Sequence, residues 1–352
     1  MSPRSCSATS GPTYSAEMSW ELTTVADDEV VAFDGTDVAH WIDLAPGTVH
    51  ELDGLGAVRT LDRPPGERLA TIATVNDVHF GEVECGILDG WGDPVLSVGP
   101  GEPPYPETMN RAAVAEIAAL DPDLVVVKGD LTADGRPEQY DAFLHCYAEP
   151  FGDRMIHVQG NHESHPGAHF ADVPFQTRRL PGVIVALLDT ARPGIEGGAL
   201  GAEQLDELDA LAAEADRPVL AFGHHHVWDP QSTREITYFG INPDDSERLI
   251  ALIARRPAIV GWFAGHTHRN RVRRFPVTGD VPFAEVSCTK DFPGAWAEYR
   301  VHEGGILQVF RRISAPDALA WSERTKAMFS GLYHDYAFGD LDDRCFAIRL
   351  RQ

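Results

Sequence analysis

Leu124-Val125-Val126-Val127-Lys128-Gly129-Asp130-Leu131-Thr132 is an apolar run that ends on a glycine and a carboxylate. A short β-branched run of this kind reads as a strand buried on both faces, the form that parallel sheets favour. An Asp at the exit of such a strand is costly in low-dielectric surroundings unless a cation or several donors compensate it. The glycine before it leaves room for backbone or ion to approach. If Asp130 serves a bound cation, the partner ligands must stand elsewhere in the chain.

Working outward, the same arrangement recurs. The apolar run 69–75 ends at Asn76-Asp77-Val78-His79, and 155–158 leads to Gly160-Asn161-His162-Glu163. Residues 218–222 precede Gly223-His224-His225-His226, and 259–264 precede Gly265-His266-Thr267-His268. Helical patterns separate the runs at 108–120, where Thr108 is the expected cap, and at 137–148, 202–213 and 244–254. A further strand is expected at 183–188. Strands alternating with helices predict an α/β layered fold. In open α/β sheets ligands bind outside the carboxyl ends of the strands, so the five ends can converge on one pocket.

Around this core, residues 1–17 are expected to be a disordered tail and 18–66 a small N-terminal β extension of short strands and Gly turns. Arg63-Pro64-Pro65-Gly66 marks the boundary of a main domain over 67–313, with β-rich runs at 282–288, 295–301 and 305–313. Residues 314–352 form a C-terminal extension with a helical piece and a last strand at 345–350. Met18 is an alternative start to Met1.

The 352 residues carry 54 acidic and 29 basic side chains, a formal charge of −25. Such a surface argues against a nucleic acid polymer as partner, because phosphate-backbone affinity comes from clustered Lys and Arg. Five scattered cysteines without a C-x-x-C pair read as free thiols in a reducing compartment. No run approaches the roughly 18 apolar residues of a membrane span, and the N-terminus lacks a signal peptide core. The expectation is a cytoplasmic protein with no membrane partner; a homodimer is left open.

The candidate ligands are Asp77, His79, Asp130, Asn161, one of the histidines 224–226, His266 and His268. Alternate side chains of an extended D-x-H or H-x-H face the same way, so both can reach one ion. Nitrogen and oxygen donors of this mixture suit Mn, Fe, Zn or Co. Two such ions hold a hydroxide at neutral pH and clamp phosphate oxygens during in-line displacement. His162 is then free to donate a proton to the leaving oxygen, and Glu163 to orient a ligand or His162. Each motif alone has an ordinary reading as a turn. Together they would require five independent turns carrying only metal-competent side chains. His145, His157, His165 and His169 read as surface or packing residues, with His165 and His169 at the rim of the pocket. Arg269 is a candidate phosphate contact or, equally, half of a salt bridge.

The ordered set D-x-H, G-D, G-N-H-E, H-H, G-H-x-H resembles the calcineurin-like metallophosphoesterases, over about residues 69–312. Gly129-Asp130-Leu131-Thr132 with Gly-Asn-His-Glu looks like their class III cyclic-nucleotide phosphodiesterase branch. The resemblance implies a four-layer α/β/β/α sandwich of two mixed sheets and two transition-metal ions (Mn, Fe or Zn). It implies that Asp77, His79, Asp130 and His268 bind one metal and Asp130, Asn161, His224 and His266 the other, with a hydroxide bridging them. His162 would be the proton donor. His226 stands where the family's H-x-P motif has Pro, which leaves His224 or His225 as the ligand. Ala133 stands where relatives often carry an acidic residue, and Asp134 follows it. The implied activity is hydrolysis of small phosphodiesters such as 3′,5′-cyclic nucleotides. A phosphomonoesterase or glycerophosphodiesterase is the alternative, and a non-catalytic binding module the reading from another class.

Overall fold

Alternation of side chains between two buried faces along the apolar runs decides the architecture. The computed structural model describes residues 20–87, 92, 94–170, 173–228 and 239–350. The expected tail 1–17, Met18 and Cys6 lie outside them.

Five short strands open the chain: β1 (Glu21–Val25), β2 (Val30–Asp34), β3 (Asp37–Trp41), β4 (Val49–Leu52) and β5 (Gly56–Arg59). The main body begins with β6 (Arg68–Val75), α1 (Tyr105–Leu120), β7 (Leu124–Lys128), α2 (Pro137–Phe151), β8 (Met155–Val158) and a single turn α3 (Asn161–Ser164). It continues with β9 (Phe175–Leu180), β10 (Val183–Leu188), α4 (Ala202–Glu214), β11 (Val219–Gly223), α5 (Pro243–Arg255) and β12 (Ile259–Ala264). Then come β13 (Arg271–Arg273), β14 (Phe283–Glu285), β15 (Ala295–His302) and β16 (Gly305–Arg312). After them follow α6 (Pro316–Thr325), α7 (Leu332–Phe338), α8 (Leu341–Arg344) and β17 (Phe346–Arg349).

Two six-stranded sheets result, ordered β17-β16-β15-β6-β7-β8 and β13-β14-β12-β11-β10-β9. Each is mixed. β6, β7 and β8 are parallel and β15 runs antiparallel to β6. β10, β11, β12 and β14 are parallel, with β9 and β13 as antiparallel edges.

On β7, Val126 points inward to meet Val185, Leu220 and Phe263 of the other sheet. Val125 and Val127 point outward under Met109, Ala113 and Ile117 of α1 and Phe143 and Tyr147 of α2. The second sheet covers its outer face with Leu205 and Leu208 of α4 and Leu249, Leu252 and Ile253 of α5. The order is therefore helices, sheet, sheet, helices, as expected. Alternation explains why the whole run Leu124–Lys128 is buried although only half of it faces each layer.

Some boundaries differ from the expectation. α1 starts at Tyr105 with Pro104 before it and Pro106 in its first turn, so Thr108 lies inside the helix and caps nothing. A proline in the first turn costs no hydrogen bond, because that N–H has no partner in the helix. β4 and β9 were not anticipated; Arg178 and Arg179 on β9 dilute its alternation, which suits an edge strand. Among the described residues no helix is long and apolar enough to cross a membrane.

Candidate metal centre

All five chemically suggestive segments leave carboxyl ends of strands on the same side of the two sheets. β6, β7 and β8 deliver Asp77, Asp130 and Asn161; β11 and β12 deliver His224 and His266. Backbone bonds tie the loops to one another. Asp77 N donates to Gly129 O (3.1 Å), His79 N to Asp130 O (3.0 Å), and Gly265 N to His224 O (2.9 Å).

The backbone here is unusual. Asp77, His79, Asp130, His266 and His268 all have positive φ, between 46° and 69°. Non-glycine residues rarely adopt this region, and the cost is carried where the surrounding structure and function demand it. Gly129 and Gly160 are required by closeness. A Cβ on Gly129 would stand 2.7 Å from His224 Nδ1, and one on Gly160 2.1 Å from Asp130 Oδ1.

Asp130 is the hub. Its Oδ1 accepts from His162 N (3.0 Å), while Oδ2 lies 3.3 Å from His224 Nε2 and 3.6 Å from His79 Nε2. Asp77 accepts from His266 N (3.0 Å) and from Asn76 Nδ2, and its Oδ1 is 3.5 Å from His268 Nε2. Donor atoms of Asp77, His79 and His268 lie within 4.8 Å of one another, as do those of Asp77, Asp130 and His224, and those of His224, His225 and His266.

Among the described residues, the Nε2 atoms of His79 and His266 are buried with no hydrogen-bond partner. Orphaned imidazole nitrogens, one of them facing Asp130 and the other beside His224 and His225, are what a metal pair would satisfy, and the donor set fits two ions.

The ring orientations separate the adjacent histidines. His224 Nδ1–H donates to Lys128 O (2.8 Å), which turns Nε2 toward Asp130 and Asn161 Oδ1 (3.1 Å). His225 uses both nitrogens elsewhere, at Thr190 Oγ1 (2.8 Å) and Glu196 O (2.9 Å). Geometry therefore brings His224, not His225, onto Asp130. His226 is buried beyond them and its carbonyl accepts from Ile241 N (2.7 Å).

His162 donates Nδ1–H to the carbonyl of Ala133 (2.8 Å), so its Nε2 is the free atom facing the pocket. The residue at 133 thus contributes a backbone group, while the Asp134 side chain accepts from Gln139 Nε2 (3.1 Å).

Glu163 contacts neither a candidate ligand side chain nor the His162 ring. It accepts from Thr132 N, Thr132 Oγ1 and Gly160 N, each at 2.7 Å, and so clamps the Asp130 loop to the Asn161 loop. Arg269 is paired with buried Glu285 (2.9 Å) and lies over the Tyr336 ring. His157 packs against Tyr140 and Phe143, and His145 pairs with Glu149 at the surface. His165 lines a cavity beside His162 and Asn161, and His169 lies behind at Gln159.

Charge follows this geometry. Burial would push Asp130 up, but the His224 and His162 imidazoles outweigh it and hold the carboxyl well below the usual range. Burial likewise depresses His224, yet the neighbouring Asp130 carboxylate lifts it to about 9. His162 is raised in the same way, against its burial, by Asp130. Burial dominates at His79, which falls to about 4, and at His266 and His225, which it holds well below the usual imidazole range.

A second layer of charge was missed by the sequence reading. Glu82 Oε2 lies 3.0 Å from His79 Nδ1, and Asp291 Oδ2 lies 3.8 Å from His268 Nδ1. Lys290 joins the two carboxylates, at 2.8 Å from Glu82 and 2.9 Å from Asp291. Asp291 also accepts from Cys288 Sγ (2.8 Å) and Tyr333 OH (2.6 Å). A signal existed, because Cys288-Thr289-Lys290-Asp291 follows the strand β14 much as the other motifs follow theirs.

Comparison with known proteins agrees with this picture. Residues 70–270 match the model of the calcineurin-like phosphoesterase family. A probable cyclic nucleotide phosphodiesterase from a Synechococcus strain is 28% identical over 172 residues, 46% of this chain and 65% of that protein. A glycerophosphodiester phosphodiesterase from Enterobacter lignolyticus is 29% identical over 169 residues, 42% of this chain and 56% of the relative. The chain thus spans somewhat over half the length of these relatives. A dimetal phosphatase from Danio rerio superposes on 81% of this chain and all of its own, with a TM-score of 0.53 at 14% identity, which shows a shared fold.

Proposed function

Because the chain belongs to the calcineurin-like phosphoesterase family, we propose that this phosphoester hydrolase is a phosphodiesterase of small molecules, with 3′,5′-cyclic nucleotides the first candidates. The observation that carries the reading is the position of Asp130, one carboxylate reached by imidazoles from both sheets. Asp77, His79, Asp130 and His268 would hold one ion and Asp130, Asn161, His224 and His266 the other. Such a pair, when bound, supplies Lewis-acid activation of water and of the phosphoryl oxygens. Mn, Fe and Zn all suit these donors. The relatives' names support diester over monoester substrates, and a glycerophosphodiester remains the second reading.

The chain's own contribution is positional and acid–base. His162, fixed through Ala133 O, presents Nε2 to the pocket, and the Asp130 carboxylate raises its pKa against the opposing effect of burial, which favours a proton on that atom. It gives that proton to the departing alkoxide. Glu163 keeps the two loops in register, so Asp130 and His162 keep their spacing. The four described cysteines are free.

The test is a panel of cyclic nucleotides, linear diesters and monoesters assayed with Mn²⁺, Fe²⁺ and Zn²⁺. Metal-dependent diester turnover is expected, falling by about 10²–10⁴-fold in His162→Ala. Undiminished turnover in both His162→Ala and Asp130→Ala would refute it.

A further inference from the structure

The cavity over the metal cluster holds about 480 Å³ and has two unlike walls. One is polar, with Asp130, Asn161, His162, His266 and His268. The other is made by Ile87, Phe239, Phe329, Leu332 and Tyr336. Leu332 is 61% exposed, Ile87 66%, Phe239 50% and Tyr336 44%, so large apolar surface stands open to water beside the site. Apolar surface gathered in a concavity marks a ligand site more often than scattered exposed residues do.

Most of that wall comes from 329–336, outside the residues 70–270 that carry the family match. It is also built at a cost. Phe329 and Ser330 have φ of 55° and 57° and Gly331 follows at 85°, so two side-chain-bearing residues in succession are held in the left-handed region. Strain of this kind persists only where packing over-determines it. Tyr333 packs edge-on against Phe329 and anchors its hydroxyl on Asp291. Tyr336 OH donates to Thr267 O (2.9 Å), between His266 and His268. Asn270 Nδ2 donates to the carbonyls of Ala337 and Phe338. The wall is thus fastened directly to the loop that carries two candidate ligands. It is preformed, which spares a ligand the cost of ordering it.

We propose that 329–336, with Ile87 and Phe239, is the subsite for the organic group of the substrate and takes a flat, apolar or aromatic substituent next to the phosphoryl group. This rests on the phosphoester hydrolase reading only for the placement of the phosphoryl group.

The test compares two non-hydrolysable ligands with the same metal-binding head, phenylphosphonate and methylphosphonate, by calorimetry on the Mn²⁺-loaded full chain. About tenfold tighter binding of the phenyl compound is expected, the effect of burying part of one ring. Phe329→Ala and, independently, the surface change Leu332→Ala should each cut that preference about threefold or more. Equal affinities in the wild type, or a preference that survives both substitutions, would overturn the subsite. So would tighter binding of 2-aminoethylphosphonate than of the phenyl compound, which would make the wall a cation site. The ratio is read without turnover. A protein that binds phenylphosphonate selectively yet hydrolyses no diester keeps the subsite and loses the proposed function.

Discussion

Asp27, Glu29 and Glu298 at the N-terminal extension, and Asp77 and Asp130 at the strand ends, are all at most 8% exposed, but they are compensated differently. In the first cluster Arg300 reaches Asp27 (2.6 Å), Asp28 (2.6 Å), Glu29 (2.5 Å) and Glu298 (2.9 Å). Arg311 bonds Glu29 and Glu298, and Arg63 and Arg68 close the edges. Guanidinium charge is permanent, so this network needs nothing from outside. In the second cluster the neighbours of the carboxylates are imidazoles, whose charge depends on a proton. The nearby buried Lys128 donates to Ala264 O (3.0 Å). The difference teaches how to tell a structural charge cluster from a site: the first is closed by fixed cations, and the second is left for exchangeable ones.

Breaking each cluster should therefore have different consequences. Asp130→Asn is expected to lower turnover on the order of 10³-fold, and the metal-free protein to melt somewhat lower than wild type, because His224 and His162 lose the carboxylate whose pKa they depress. Steady-state kinetics and a thermal melt in chelator check both halves. Arg300→Met should spare the metal site and act on stability alone. Leaving Asp27, Glu29 and Glu298 short of a cation costs about 3–5 kcal/mol, read by urea unfolding, with Mn²⁺ stoichiometry unchanged.

Ligand linkage sharpens the contrast further. Mn²⁺ at a hundredfold its Kd should stabilise wild type by about 2.7 kcal/mol for each ion bound, and Asp130→Asn by much less. Lys290→Met frees Glu82 and Asp291 from their shared partner. Metal affinity is expected to fall about 10-fold or more, measured by calorimetry, because both carboxylates orient ligand histidines.

The smallest effect concerns acid. Burial opposes ionisation of Glu29, but Arg311 and Arg300 outweigh it and lower its pKa from 4.5 to about 2. Its stabilising contribution is complete above pH 4.5 and is lost as pH falls toward about 2. Urea midpoints measured down this window should fall in wild type and fall less steeply in Arg300→Met.

Much of this was legible in sequence for one reason. Each parallel strand is an apolar run, and the residues that follow it are the ones the fold brings together; Asp130, His224 and His266 could be read that way. Glu82 could not, because its role depends on distances between loops that no periodicity encodes; Lys290 follows β14 as the other motifs follow their strands, but its link to Glu82 is a distance of the same kind. The strained turn at Phe329 and Ser330 was equally hidden, since neither residue type signals a positive φ. Glu163 was read as an orienter of a ligand or of His162. In the structure it accepts from Thr132, through both N–H and Oγ1, and from Gly160 N, the last being the capping pattern of the short turn Asn161–Ser164.

The central claim is that the strand-end carboxylates lack fixed cations because two metal ions share Asp130. Elemental analysis of Mn²⁺-loaded, gel-filtered wild type and Asp130→Asn tests it most directly. The account predicts two equivalents per chain in wild type and one or fewer in the variant. Wild type that retains no metal, or a variant that still holds two, would contradict it.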